Sequence, residues 1–186
     1  MIISIVGSGG KTTLIKKLTE QHRRVGRTVF VTTTTHMFIE EDTLLTDDAD
    51  TIIQQLKEKG YAMAGIPEGK KIKALSKETY ATVCAYADVV LVEADGSKHM
   101  PLKYPNASEP VIPNNTEQII VVWGPHGLQK PAREVCHRLE LVIQCLGITE
   151  DTIITIEHVT GLLQEGYLQP LRRQYPNADI LVWPPL

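Results

Sequence analysis

Short apolar runs alternate along the chain with stretches whose apolar residues recur every three to four positions, which is the pattern of strands joined by amphipathic helices. Ile2–Val6 reads as a first buried strand, followed by a helix with Leu14, Ile15 and Leu18 inward, Lys16, Lys17, Glu20, Arg23 and Arg24 in water, and Gly26 as its stop. A second strand is predicted over Thr28–Val31. After an acidic stretch, Glu40–Asp50, read as a solvated loop, Ala49, Ile52, Ile53 and Leu56 mark a helix ended by Gly60. Tyr61–Ile66 reads as a strand and Pro67–Lys71 as an exposed turn or hairpin. Ser76 caps a helix carrying Tyr80, Val83, Cys84 and Ala87 on one face. The run Val89–Val92 has no polar interruption, as expected of a central parallel strand covered on both faces.

The later half continues the alternation. Gln118–Trp123 is a predicted strand and Gly124–Gly127 a turn. Pro131 opens a helix with Val135, Leu139, Val142 and Leu146 buried and Gly147 past its end. Thr155 caps a shorter helix with Val159, Leu162 and Leu163, closed by Gly166, and Asp179–Trp183 is a last strand. The expectation is an α/β fold with a mostly parallel central sheet flanked by helices, in one domain over residues 1–186.

Chemistry enters at the first strand-to-helix junction, Gly7-Ser8-Gly9-Gly10-Lys11-Thr12-Thr13. Glycines allow positive φ and bring successive N–H groups toward one centre, and the helix N-terminus behind them adds partial positive charge. A polyphosphate fits such a cradle, with Lys11 on its outer phosphates and Thr12 placed to ligate Mg2+. The usual spacing G-x-x-x-x-G-K-[ST] is shortened, since Ile5 stands six before Lys11 and the first glycine is Gly7. The compressed G-x-x-G-K-T-T form is similar to the loop of Mur-type peptide ligases. A glycine turn that merely precedes a lysine is the alternative.

Thr32-Thr33-Thr34-Thr35-His36 closes the second strand, and hydroxyls there can reach a metal, its waters or a phosphate; Thr35 and His36 fall at the strand end. They can equally be β-favouring residues with no further role. Glu93 and Asp95 end the apolar run in a Walker-B-like manner and are expected on one side of the chain, one to hold Mg2+ and the other to orient an attacking group. A strand end turned by Asp95-Gly96 is the plainer reading. Beyond it, a proline-rich loop region carries Lys98 and Lys103, candidates for an anionic substrate or a transferred phosphate. His36, His99, Glu109 and His126 show no short metal-ligand spacing, which leaves Mg2+ as the expected metal.

Composition narrows the classes. At 186 residues, 42% hydrophobic and 22% charged, the chain is long enough for one well-buried core. A net charge of -3 without a basic stretch argues against nucleic acid as a partner. Met1 opens directly into a strand and no run of about eighteen apolar residues occurs, so neither leader nor membrane span is expected and the location is expected to be cytoplasmic. Cys84, Cys136 and Cys145 form no C-x-x-C pair, which suits a reducing compartment. Cys136 and Cys145, on one predicted helix, would point to opposite faces at about 100° per residue.

Taken together, G-S-G-G-K-T-T, T-T-T-T-H-M, V-E-A-D-G-S-K-H-M-P-L-K, E-P-V-I-P and C-H-R-L-E resemble the selenium cofactor biosynthesis protein family, described also as accessory proteins of selenium-dependent molybdenum hydroxylases. The resemblance covers almost the whole chain. It implies a P-loop NTPase-like three-layer sandwich and a part in maturing selenium-containing molybdenum enzymes. It carries family-level importance to Lys11, Thr12, Thr35, His36, Glu93, Asp95, Lys98, Lys103, Glu109 and Arg138. Two functions follow as expectations. One is a Mg2+-dependent enzyme using ATP or another NTP on a small anionic intermediate, with Lys11, Glu93, Asp95, Lys98 and Lys103 catalytic. In it Gly7, Ser8, Gly9, Gly10, Lys11, Thr12, Thr13, Thr35 and His36 hold the nucleotide, and Thr12, Glu93 and Asp95 the metal. The other is a nucleotide-dependent switch or chaperone-like protein that docks a molybdenum hydroxylase client.

Overall fold

A computed structural model describes residues 1–96 and 100–186. Its residues fall into two compact units built from discontinuous segments: residues 1–5, 12–95 and 111–117 form the first, and residues 6–11, 96–110 and 118–186 the second.

In the first unit, β1 (Ile2–Gly7, of which the first four strand residues belong here) leads into the helix α1 (Lys11–Arg24). Then come β2 (Val29–Thr33), β3 (His36–Phe38), β4 (Thr43–Leu45), α2 (Ala49–Lys59), β5 (Tyr61–Glu68), β6 (Lys71–Lys73), α3 (Lys77–Tyr86) and β7 (Val89–Glu93). β7 lies between β1 and β2, parallel to both, with Leu91 level with Ile3 and Val31. Its residues Val89–Val92 are completely buried, as its unbroken apolar sequence requires. β5 extends the parallel order beside β2 and β4, and its end, Ile66–Glu68, turns through Gly69 to pair antiparallel with β6.

Alternation along these strands assigns two faces. Ile2, Phe30, Ala62, Ala64, Val90 and Val92 pack with Ile52 and Leu56 of α2 and Val83 of α3. On the other face Val31 and Met63 line a groove of ≈ 180 Å³ together with Ile15 and Thr19 of α1. This is helix, sheet, helix: the α/β arrangement with a mostly parallel sheet that the pattern predicts. The caps agree as well. Ser76 accepts from the Thr79 amide, and Gly60 ends α2 at φ 66° with its N–H on the Leu56 carbonyl. One expectation is corrected: the acidic stretch is not all loop, because Thr43–Leu45 pairs with Met63–Gly65.

In the second unit β8 (Leu102–Lys103), β9 (Gln118–Val122), α4 (Ala132–Val135), β10 (Cys136–His137), α5 (Leu139–Leu146), α6 (Ile156–Leu163), α7 (Gln169–Gln174) and β11 (Asp179–Trp183) follow in order. β9 and β11 run parallel, Gln118 level with Asp179 and Val122 with Trp183. Two corrections arise here. The helix expected from Pro131 to Leu146 is interrupted: Cys136 and His137 extend to pair in parallel with Leu102 and Lys103, and Arg138 then takes a left-handed conformation at φ 60° before α5 starts. The helical period of Val135, Leu139 and Val142 conceals this, because Cys136 satisfies its need for burial through strand pairing instead. Cys136 and Cys145 therefore lie on different elements. Burial pushes the Cys136 thiol up to about 11, and it raises Cys84 and Cys145 too, so none is poised as a thiolate.

Gly166 is the second correction. The helix does not stop there but continues as a π-helical stretch over Gln164–Leu168 into α7. Gly166 is present for space: an added β-carbon would stand 3.1 Å from Pro105 Cδ and 3.2 Å from the Tyr104 ring. Among the described residues no helix is long and apolar enough to cross a membrane.

Candidate functional site

The loop after β1 has the backbone its sequence requires. Gly7, Gly9 and Gly10 take φ values of 90°, 79° and 142°, all strained for a residue with a side chain. In the second unit the loop also lies tight against the end of β9. Ser8 N–H donates to the Val122 carbonyl at 2.9 Å. A β-carbon on Gly7 would fall 2.1 Å from that same oxygen, and one on Gly9 2.6 Å from the Gly124 Cα and the Pro101 carbonyl. Gly7→Ala is therefore expected to cost at least about 2 kcal/mol of stability from backbone strain alone, read as a lowered denaturant midpoint. A midpoint equal to the parent's would remove the close approach.

Does this loop fit a bound phosphate? Ser8 is 1% exposed and its hydroxyl has no partner among the described residues, an orphaned polar atom of the kind a ligand or water satisfies. α1 is fourteen residues long and has no acidic side chain in its own first turn, which leaves the partial positive charge of its N-terminus undiminished from within the helix. Lys11 is buried at 4% exposure, while Thr12 and Thr13 are exposed at the start of the helix. These features fit a polyphosphate.

The threonines at the end of β2 prove to be largely engaged with backbone. Thr32 Oγ1 donates to the Ala64 carbonyl at 2.9 Å, Thr33 Oγ1 to the Glu93 carbonyl at 2.8 Å and Thr34 Oγ1 to the Val111 carbonyl at 2.6 Å. Thr35 N–H donates to Thr33 Oγ1 at 3.0 Å, and the two hydroxyls lie 3.5 Å apart. Thr35 is half-buried. His36 opens β3, exposed, with Nε2 2.7 Å from Glu68 Oε2. That hydrogen bond, with Lys73 at 3.6 Å, holds the Glu68 carboxyl below its ordinary range.

Glu93 ends β7 half-buried, its carbonyl accepting from Thr33 and from the Thr34 amide. Asp95 is completely buried. Between them Ala94 remains paired on both sides, donating to the Ile5 carbonyl at 3.0 Å and accepting from the Val111 amide at 2.9 Å. Strand-like pairing thus carries at least one residue past β7, through Ala94.

Lys103 departs most from expectation. The sequence places it in a proline-rich loop, yet it sits on β8 with its side chain wholly buried, 2.6 Å from Glu109 Oε2 and donating to the Gly96 carbonyl. Arg138 reaches the same Glu109 oxygen at 2.8 Å and the Tyr104 carbonyl at 3.2 Å. Burial pushes Glu109 up, but the hydrogen bonds from Arg138 and Lys103 outweigh it and leave the carboxyl below its ordinary range. Sequence reasoning named all three residues and missed that they form one cluster. The available signal was one acid and one base among prolines and a second base far along the chain, with no fixed spacing to join them. Lys98 and His99 lie outside the described residues. His126 is exposed on a short 3-10 turn, and among the described residues no group of three or more His, Cys, Asp or Glu is arranged to hold a metal.

Fold and loop together define an α/β protein with a mostly parallel, helix-flanked sheet whose first strand delivers a glycine-rich turn to a helix N-terminus. A family model described as YqeC protein matches residues 3–140. The protein YqeC of Escherichia coli (strain K12), described as uncharacterized, is 34% identical over 194 residues, an alignment spanning 98% of this chain and 74% of that relative. The chain belongs to the YqeC family. No solved structure matches it.

Proposed function

We propose that this protein is a P-loop, Mg2+-dependent nucleotide-binding protein, with ATP as its expected nucleotide, that hydrolyses it or transfers its phosphate in the maturation of selenium-dependent molybdenum hydroxylases. The observation that carries the reading is the loop itself: three glycines at positive φ after a buried strand, leading to Lys11, Thr12 and a helix start free of acids. The maturation role rests on the family resemblance. In this reading the loop amides and Lys11 bind the phosphates, and the Thr12 hydroxyl with the Glu93 and Asp95 carboxylates holds the ion. Bound Mg2+ supplies charge neutralisation of the phosphates. Asp95 is completely buried and follows Ala94, whose backbone is held by two hydrogen bonds, which suits a ligand that must stay in place.

The test follows from charge. Two carboxylates close to a polyphosphate repel it unless a cation intervenes, so ATP affinity should rise when Mg2+ is added. Asp95→Asn keeps the size and removes the charge, and should flatten that Mg2+ dependence, as Glu93→Gln should. Calorimetric titration of ATP with and without Mg2+ measures both. Parent-like Mg2+ dependence in either amide variant makes that acid a structural strand-end residue. Equal binding with and without the metal in the parent sinks the metal assignment.

A further inference from the structure

Within the first unit, the groove of ≈ 180 Å³ between α1 and the sheet has apolar walls and one polar atom set among them. Ile15, Val31, Met37 and Met63 form the walls, none more than 6% exposed. Thr19 lines the same groove at 9% exposure, and its hydroxyl has no hydrogen-bond partner among the described residues. A threonine inside a helix has an acceptor at hand, the carbonyl four residues back. Thr82 of α3 uses it, donating to Glu78 at 3.0 Å, and Thr160 of α6 donates to Ile156 at 2.8 Å. Thr19 forgoes that bond. Folding therefore leaves a buried hydroxyl unsatisfied, at a cost in stability, and the group is set for a partner from outside the chain.

Size, walls and charge define that partner. An apolar cavity of about 150 Å³ holds benzene, so ≈ 180 Å³ takes one ring with a small substituent and not a base with its ribose attached. Two methionine thioethers in the walls favour an aromatic ring over an alkyl chain, because polarizable sulfur is attracted to ring edges. Charge does not suit the groove. Glu20 and Glu40 line it with a single lysine, Lys16, whose ammonium is already 2.9 Å from Glu40 Oε1. Tyr61 reports the resulting environment: burial first, then the Glu40 and Asp42 carboxylates, push its phenol up to about 12 against a smaller opposite pull from Arg23. An anion placed there meets the same desolvation and the same repulsion, and an ion of either sign loses its water to apolar walls.

We propose that this groove is a small-molecule site, taking a neutral aromatic or heteroaromatic ring whose single hydrogen-bonding group pairs with the Thr19 hydroxyl. The site belongs to the first unit alone and stands whether or not the glycine loop binds a nucleotide. An anionic intermediate of the kind expected from the sequence is not its occupant.

The experiment uses the full chain with phenol as the probe, toluene as the same ring without the polar group, and benzoate as the charged counterpart. Binding is followed by NMR through the methyl signals of Val31, Met37 and Met63, with Met1, which does not line the groove, as the control. Phenol should shift the three signals and benzoate should not. Thr19→Val keeps the shape and removes the hydroxyl; it should weaken phenol roughly fivefold, the worth of one neutral hydrogen bond, and leave toluene at least as tight. Thr19→Ser, which keeps the hydroxyl, should stay closer to the parent in phenol affinity than the valine variant does. Without ligand, Thr19→Val should melt no lower than the parent, since no bond within the protein is lost. Saturating ATP with Mg2+ should leave phenol affinity unchanged. Methyl signals unmoved by phenol make the groove a packing void and overturn the site. Equal effects of Thr19→Val on phenol and toluene overturn the role of the hydroxyl, as does a valine variant that melts below the parent. Benzoate binding as tight as phenol's overturns the neutral class, and competition by ATP reassigns the groove to the nucleotide's own base and overturns the second molecule.

Discussion

Lys11→Ala should bind MgATP roughly ten to a hundred times more weakly than the parent, the loss expected from about 1.5–3 kcal/mol of charge-assisted hydrogen bonding to phosphate. The residue sits at the first position of α1, directly after three glycines whose positive φ values turn the loop. Because Lys11 is only 4% exposed, alanine also removes buried volume, and part of any effect can be packing. Lys11→Met separates the two causes, keeping the stem while deleting the charge. Calorimetry on both variants, with thermal unfolding in parallel, provides the measurement. Methionine should bind as weakly as alanine while melting closer to the parent. Parent-like MgATP affinity in Lys11→Met would end the phosphate reading of the loop.

Glu109→Ala should be the most destabilising single change in the second unit, by about 3–5 kcal/mol, because it strands a wholly buried lysine and a largely buried arginine without their shared partner. In a domain of this size that corresponds to a fall in Tm of roughly 10 °C. Acid should reproduce part of the effect. The folded-state pKa of Glu109 lies below its unfolded value, so its contribution is complete above the ordinary glutamate range and is lost as pH falls through the lower, folded value. Stability measured against pH should therefore decline on that acid limb in the parent and decline less in Glu109→Gln, which no longer titrates there. Identical slopes would show that the cluster holds no differential charge.

Local chemistry made much of the fold legible. The unbroken apolar run at Val89–Val92 announces a central strand, and Ser76, Gly60 and Gly147 mark helix ends through capping preferences that act within a few residues. What escaped depends on distant partners. Cys136 belongs to a strand only because Leu102, far away in sequence, is there to pair with it. Gly166 looks like a terminator and is instead a seat for the Tyr104 ring. The same division runs through the candidate site. The glycine loop was readable because its spacing is short and its backbone needs are specific. Lys103, Glu109 and Arg138 were readable as individuals alone, since nothing in a linear sequence says that two bases share one carboxylate oxygen. Likewise the threonine run reads as a row of free hydroxyls, and the fold engages three of them with backbone carbonyls.

The contact between Gly7 and Val122 bears on how kinship among such proteins should be read. Gly7 and Gly9 are imposed by the neighbouring backbone of Val122, Gly124 and Pro101, whatever the loop holds. A descendant whose loop held no ligand at all would have to retain both glycines to keep its fold. Thr12 is under no such obligation, being exposed at the head of α1. Drift at Thr12, with the glycines intact, would be the mark of a lineage in which the loop stands as architecture alone, without the proposed nucleotide.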